Sequence, residues 1–390
     1  MEELTQAIVK TEAYISREKF RGYDPYDALK SPLFRLPILR SQKYMRLAAQ
    51  QVLKRLPLNI RPLLGIEKGY NPVTLGLCIQ AFSYLASSVP DRSEYYLERV
   101  NFCLKEIERL QSGGYAGACW GYDFDWQARY ATMPAYMPTV VATGFITNGL
   151  FTAYRLCGQE RAFELCRSAV DFVMRDLHRT EDEDGDFCWS YSPEDKQLVL
   201  NATMKGARLL AQVYSVTGEK ALAATAKRTV QFVAKHQRAN GSWPYSLGDT
   251  RTWADNFHTG YVLDCFLEYE RCTGDTTFSP VVQRGWTYYR ANFFAEGKIP
   301  KYYDNSLYPV DATSCAQSLL TLVNFGDIAF ACKVADWLIR HMQQSDGSFV
   351  YQITNHYVNR IPYMRWSVAW LFLALSRLAY EQRSNDAHLD

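Results

Sequence analysis

Apolar positions along this chain fall into two kinds of run. In residues 221–237 (ALAATAKRTVQFVAKHQ) and 327–343 (DIAFACKVADWLIRHMQ) they recur at spacings of three and four, with charge between them. That period predicts amphipathic helices with one face on a core. The second kind is apolar nearly all round, and it occurs at residues 72–85, 138–154, 198–214, 256–269, 311–323 and 362–380. Helices of that kind are predicted to be buried on every side. Pro72, Pro138 and Pro362 stand where helices like to begin, and Gly158, Gly218 and Gly274 where they like to end.

The two kinds alternate around a recurring string. DGDFCWSY at 184, NGSWPYS at 240, EGKIPKYY at 296 and DGSFVYQ at 346 place Gly185, Gly241, Gly297 and Gly347 at separations of 56, 56 and 50 residues. A looser copy, GGYAGACWGY, begins at residue 113. A repeat of this length predicts a closed ring of helical hairpins. The expected fold is all-α: an (α/α)6 toroid whose apolar helices line the inside. Residues 42–56 (QKYMRLAAQQVLKRL) are expected to supply the first outer helix. Residues 1–41 then form an N-terminal arm on the ring, and residues 42–390 form a single domain. No linker divides the chain.

Composition narrows the function. The 27 Tyr, 9 Trp and 20 Phe of the 390 residues suit either a ring-stacking cleft or a large core. A net charge of +2 gives no broad field for nucleic acid. Ten cysteines lie scattered on apolar runs, as reduced core residues of a cytoplasmic protein would. The six histidines include no ligand-spaced pair, so no metal site is expected. No phosphate loop, dinucleotide fingerprint or serine elbow occurs, and no cofactor is expected. The first residues lack a secretory pattern, and no run is long enough to span a membrane.

The form Gln-x-x-x-Gly-x-Trp/Phe at Gln237–Trp243 and Gln343–Phe349 resembles the repeat of squalene cyclases and prenyltransferases. The ring of hairpins over about residues 42–380 also resembles glycan-acting toroids: polysaccharide lyases, uronyl hydrolases, glucuronyl epimerases and sugar 2-epimerases. A similarity to bacterial proteins of polysaccharide assembly points the same way. The Asp-x-Asp-Asp acid of class II cyclases is missing, and DNFHTGYVLDC does not follow the zinc-ligand pattern of the prenyltransferases. The resemblance therefore implies a glycan or glycan-lipid substrate rather than cyclase chemistry.

In a toroid, the loops entering the inner helices gather at one mouth. That places Trp120, Tyr122, Asp123, Asp125 and Trp126 there, with Trp189, Tyr191, Glu194, Trp243 and Tyr245. Later loops add Asp255, Asn256, His258, Tyr261, Tyr302, Tyr303, Asp304 and Asp311, then Tyr351, His356, Arg360, Tyr363 and Arg365. His258 reads as a helix-cap contact or as a proton-transfer group, with Tyr261 one turn on. Asp255 and Asn256 suit helix caps. Asp123 and Asp125 alternate with aromatics, which suits loop hydrogen bonding or an acid pair for glycoside hydrolysis. Arg365 is either a carboxylate clamp or a structural ion-pair partner.

Four functions follow. In the first, a uronate-containing glycan loses its C5 proton, as in lyases and epimerases. His258, Tyr261, Tyr303 and Arg365 do the chemistry, and the aromatics, Asp123, Asp125, Asn256 and Asp311 hold the sugar. The others are hydrolysis by Asp125 with a second carboxylate, handling of an isoprenoid carrier, and non-catalytic glycan binding.

Overall fold

The computed structural model describes residues 2–128 and 132–386. Among them, six helices close a ring: α4 (Pro72–Ser88), α6 (Val140–Cys157), α8 (Leu200–Thr217), α10 (Asn256–Thr273), α12 (Ala312–Asn324) and α14 (Trp370–Asp386). Each packs on the next, and α14 returns to α4. These are the apolar runs of the sequence, and α4, α8 and α12 are buried along most of their length. Gly158, Gly218 and Gly274 end α6, α8 and α10 at φ of 64°, 72° and 73°, a region where a side chain is strained.

Outside lie the amphipathic helices α5 (Ser93–Arg109), α7 (Glu160–Arg175), α9 (Lys220–Lys235), α11 (Ser279–Asn292) and α13 (Ile328–Met342). The sixth outer place, beside α13 and α14, belongs to α1 (Glu2–Arg17). Hydrogen bonds from two sides fix it: Gln343 donates to the Ala7 carbonyl, and Tyr95 of α5 donates to Glu12. The arm expected at residues 1–41 thus begins with the helix that closes the outer ring.

Residues 42–56, expected as the first outer helix, hold a different place. They form α3 (Lys43–Arg55), preceded by the short α2 (Pro37–Ser41), and α3 packs against the loops at one end of the ring. There Gln50 accepts a hydrogen bond from the Gln127 backbone. The resulting architecture is the all-α toroid with six hairpins.

All five loops from an outer helix to the next inner one, and the segment from α1 to α4, emerge at the N-terminal ends of the inner helices. They carry short antiparallel pairings, such as Arg179–Glu181 with Phe187–Trp189. Side chains cap several inner helices here. Asn71 accepts from Val73, Thr139 from Ala142, Asp255 from His258, and Asp311 from Thr313 and Ser314. Helix α6 therefore starts after the Thr139 cap and not at Pro138. No described helix is long and apolar enough to cross a membrane.

Candidate active site

The N-terminal ends of the inner helices surround a cavity of about 670 Å³. Its wall is aromatic: Tyr122, Trp126, Tyr191, Tyr245, Trp253 and Trp366 face it, with Tyr302 and Tyr303 further round. Phe145, Tyr261 and Trp370 form its floor. Their ring centroids lie 5.0, 5.0 and 5.7 Å apart and close the ring axis. A second hollow of about 340 Å³ lies beyond them, at the C-terminal ends of the inner helices.

His258 stands in this wall on the first turn of α10. Its Nδ1 is 2.7 Å from Asp255 Oδ2, while Asp255 Oδ1 accepts the His258 backbone N–H at 3.0 Å. Trp253 Nε1 donates to the same carboxylate at 3.2 Å. The Asp255 side chain is fully buried, and that of His258 is partly open to the cavity. A carboxylate on Nδ1 selects the tautomer with hydrogen there and leaves Nε2 with its lone pair. This is the arrangement of a general base whose orientation is fixed by a third group. Tyr245 packs edge-on to the imidazole at 4.6 Å and stacks on Trp253. The capping reading and the proton-transfer reading of the first turn of α10 thus coincide: Asp255 is the cap, and through that cap it holds His258.

The phenols around the cavity carry protons into it. Burial raises Tyr261 and Tyr302 well above their ordinary pKa, and it raises Tyr303 as well. They stay protonated at neutral pH. Tyr303 is the most open of the three.

Arg365 lies on a π-helical turn, Met364–Ala369, that leads into α14. Its guanidinium faces the cavity but is bound to Asp24 at 2.6 and 2.9 Å. Burial alone would lower its pKa; the Asp24 carboxylate, with the Tyr122 and Tyr26 phenols, outweighs that and raises it. Arg365 also lies over the Tyr122 ring at 4.8 Å. Its geometry is that of a group which fixes Tyr122 and the Asp24 segment. Three other cations reach the cavity, among them Arg55, which bonds Gln51 of its own helix. Lys54 of α3 bonds the Tyr26 hydroxyl at 2.6 Å, and Arg251 is held by Asp249 of its own loop.

The structure brings together His258, Tyr261, Tyr303, Arg365, Tyr122, Trp126 and Tyr191, with Tyr245, Asp255 and Tyr302, as the sequence suggests. It sets the other candidates elsewhere. Trp120, Trp189 and Trp243 are buried wedges in the ring wall; Trp120 and Trp243 donate to the carbonyls of Ile107 and Val233. Asn256 bonds Tyr289 and Ser318 behind the cavity. Asp311 caps α12 and accepts from Gln352 and Trp366. Tyr363 packs on Tyr351 and under Arg61. Asp123 pairs with Lys30, and the exposed Asp125 accepts from the Ala135 backbone. Asp304 accepts from Tyr288. Neither Glu194, His356 nor Arg360 lines the cavity. Among the described residues, Asp255 is the one carboxylate that does.

Several wall residues carry no motif signal: Tyr26, Lys54, Asn201, Arg251, Trp253 and Trp366. Asn201 Nδ2 is buried with no protein partner among the described residues, a donor left for whatever fills the cavity. Its place at the second residue of α8 follows from the same rule that predicts the mouth.

No protein-family model matches the sequence, and no curated protein does. Solved structures match the fold. A cellobiose 2-epimerase from Bacillus thermoamylovorans superposes with a TM-score of 0.63 at 12% identity, over 81% of this chain and 88% of that one. An α-mannanase of glycoside hydrolase family 76 from Bacteroides thetaiotaomicron gives 0.62 at 11%, over 81% and 88%. An unsaturated glucuronyl hydrolase specific for heparin gives 0.58 at 12%, over 83% and 89%. The class defined by fold is thus the (α/α)6 toroid found in these glycan-acting enzymes.

Proposed function

We propose that this protein is a carbohydrate-active enzyme that removes a proton from a sugar carbon next to a carboxylate, in the manner of uronate epimerases and lyases. One observation carries the reading: the 2.7 Å contact from Asp255 to His258 aims one oriented imidazole into an aromatic cavity. A hydrolytic pair is not supported, since Asp123, Asp125, Glu194 and Asp304 stay outside that cavity. The fold neighbours, which include sugar epimerases and a glucuronyl hydrolase, support the substrate class.

In this reading the sugar stacks on Trp126, Trp253 or Trp366, whose flat faces suit the C–H side of a pyranose. Lys54 and Arg251 draw the uronate carboxylate, helped by the partial positive charge at the inner-helix N-termini. His258 Nε2 takes the C5 proton, and the electron pair moves into the carboxylate. A phenol such as Tyr303 completes the reaction. Protonating C5 from the other face inverts it; protonating the C4 glycosidic oxygen releases that sugar and leaves a 4,5 double bond.

The test is incubation with uronate-containing oligosaccharides in deuterium oxide, read by mass and by ultraviolet absorbance. Solvent deuterium at C5, or an unsaturated product, is expected, with a loss of about a hundredfold or more in His258→Gln. Reducing-end release without either signal would sink the proposal and return the enzyme to hydrolysis.

A further inference from the structure

The segment around α2 and α3 carries a surface the cleft chemistry does not use. Of the fifteen large apolar or aromatic side chains exposed among the described residues, eight fall between Leu33 and Leu63. Single exposed apolar residues are ordinary; this concentration is not. Leu36, Ile38, Tyr44 and Val52 are 54%, 75%, 80% and 64% exposed.

The helix α3 buries Leu53 against Ala28 and Ile66 but otherwise turns polar side chains inward. Its polar Gln51 and Lys54, with Leu47, turn toward the cavity. Its outward positions are Tyr44, Met45, Ala48 and Val52, at helical spacing, and all are exposed. Charge marks the same stretch. Residues 28–66 hold eight Lys and Arg and no Asp or Glu, whereas the remaining chain holds 35 basic and 41 acidic residues. Arg35, Arg40 and Lys43 are exposed among the apolar groups.

We propose that residues 33–63 dock on a membrane surface bearing anionic lipid. The apolar side chains would enter the headgroup boundary, and Arg35, Arg40 and Lys43 would meet lipid phosphates, as interfacial helices do. A second copy of the chain is disfavoured as occupant, because a two-fold contact would set these cations against themselves. Since α3 also forms a wall of the cavity, docking would hold the cleft mouth at the bilayer, within reach of a glycan carried on a lipid. The surface argument does not depend on the reaction assigned above.

The experiment is co-sedimentation of the full chain with vesicles of phosphatidylcholine alone and of phosphatidylcholine mixed equally with phosphatidylglycerol, at low and high salt. Two variants accompany it, Leu36→Asp/Ile38→Asp and Arg35→Glu/Arg40→Glu/Lys43→Glu, each compared with wild type by circular dichroism. The expected result is binding to the anionic vesicles, weakened by salt and lowered about tenfold or more in each folded variant. Wild-type protein that stays in the supernatant with anionic vesicles would overturn the proposal, as would variants that bind equally well. Concentration-dependent pairing abolished by Leu36→Asp/Ile38→Asp, without vesicle binding, would assign the face to a second copy instead.

Discussion

Asp255 caps α10 with one oxygen and buttresses His258 with the other. Asparagine is as good a cap as aspartate. In Asp255→Asn the amide oxygen still accepts the His258 N–H, while the amide nitrogen now donates toward Nδ1. That reverses the tautomer and puts the hydrogen on Nε2. Activity is expected to fall about a hundredfold or more, while stability falls by only about 1–3 kcal/mol, because Trp253 Nε1 loses its acceptor but the cap bond stays. Activity lost only as far as the variant unfolds would reduce Asp255 to a cap. Lys205 makes a second prediction. It is buried beneath the cavity floor, its ammonium 3.9 Å from the Tyr261 ring centre and 4.5 Å from that of Phe145, with Arg208, Asp264 and Cys265 around it. Burial lowers its pKa from 10.5 to about 7. Between those values the unfolded chain binds a proton that the folded chain does not, so stability rises with pH across that window. The penalty is full below pH 7. Lys205→Met is expected to melt higher than wild type at pH 7, by several degrees, and to lose that advantage by pH 10. Melting curves at both values decide it; an offset that is the same at both would exclude the lysine as cause.

Helices α4 and α6 meet at a pair of glycines. A Cβ on Gly149 would stand 2.2 Å from the Gly76 carbonyl oxygen, and one on Gly76 would stand 2.8 Å from the Ile146 Cα. Helix propensity alone favours Gly149→Ala by about 1 kcal/mol. The clash is with backbone, which cannot swing away, and overpacking of this kind costs about 1–3 kcal/mol. The variant is therefore expected to be destabilised, and urea unfolding gives the sign directly. At this scale the sequence was most legible. Period, apolar face and glycine stops located the inner helices, because burial on all sides leaves a composition that needs no tertiary context. The repeated aromatics were legible as a pattern and misleading as a site. The backbone N–H of Trp120 and that of Trp189 both donate to a threonine on the following inner helix, Thr143 and Thr203. What recurs from one hairpin to another builds the ring, whereas Arg251, Asp255 and His258 occur once, in the loop before α10 and its first turn, and line the cavity. Tyr26 and Lys54 were illegible for another reason. They come from the segment between α1 and α4, whose contacts with the mouth are long-range and leave no periodic trace.

At the scale of the whole molecule, the ring is closed by contact and not by chain connection. Helix α1 buries Leu4, Ile8, Tyr14 and Ile15, bonds to Gln343 at the end of α13, and reaches α5 through Glu12. Pattern alone could not choose between α1 and residues 42–56 for this place, since both are amphipathic and of similar length. What decides is the direction of the polar face, which α3 turns toward the cavity. Burying four large side chains contributes roughly 1.5–3 kcal/mol each. Together that is comparable to the roughly 5–15 kcal/mol that holds a typical domain. Deleting residues 2–17 is thus expected to abolish the cooperative thermal transition. A peptide of residues 1–20 added in trans should restore it in a saturable manner, because the missing closure is non-covalent and the groove between α13, α14 and α5 is specific. An undiminished transition in the deleted protein would mean that five outer helices suffice, and that α1 is the accessory arm its position in the sequence suggests.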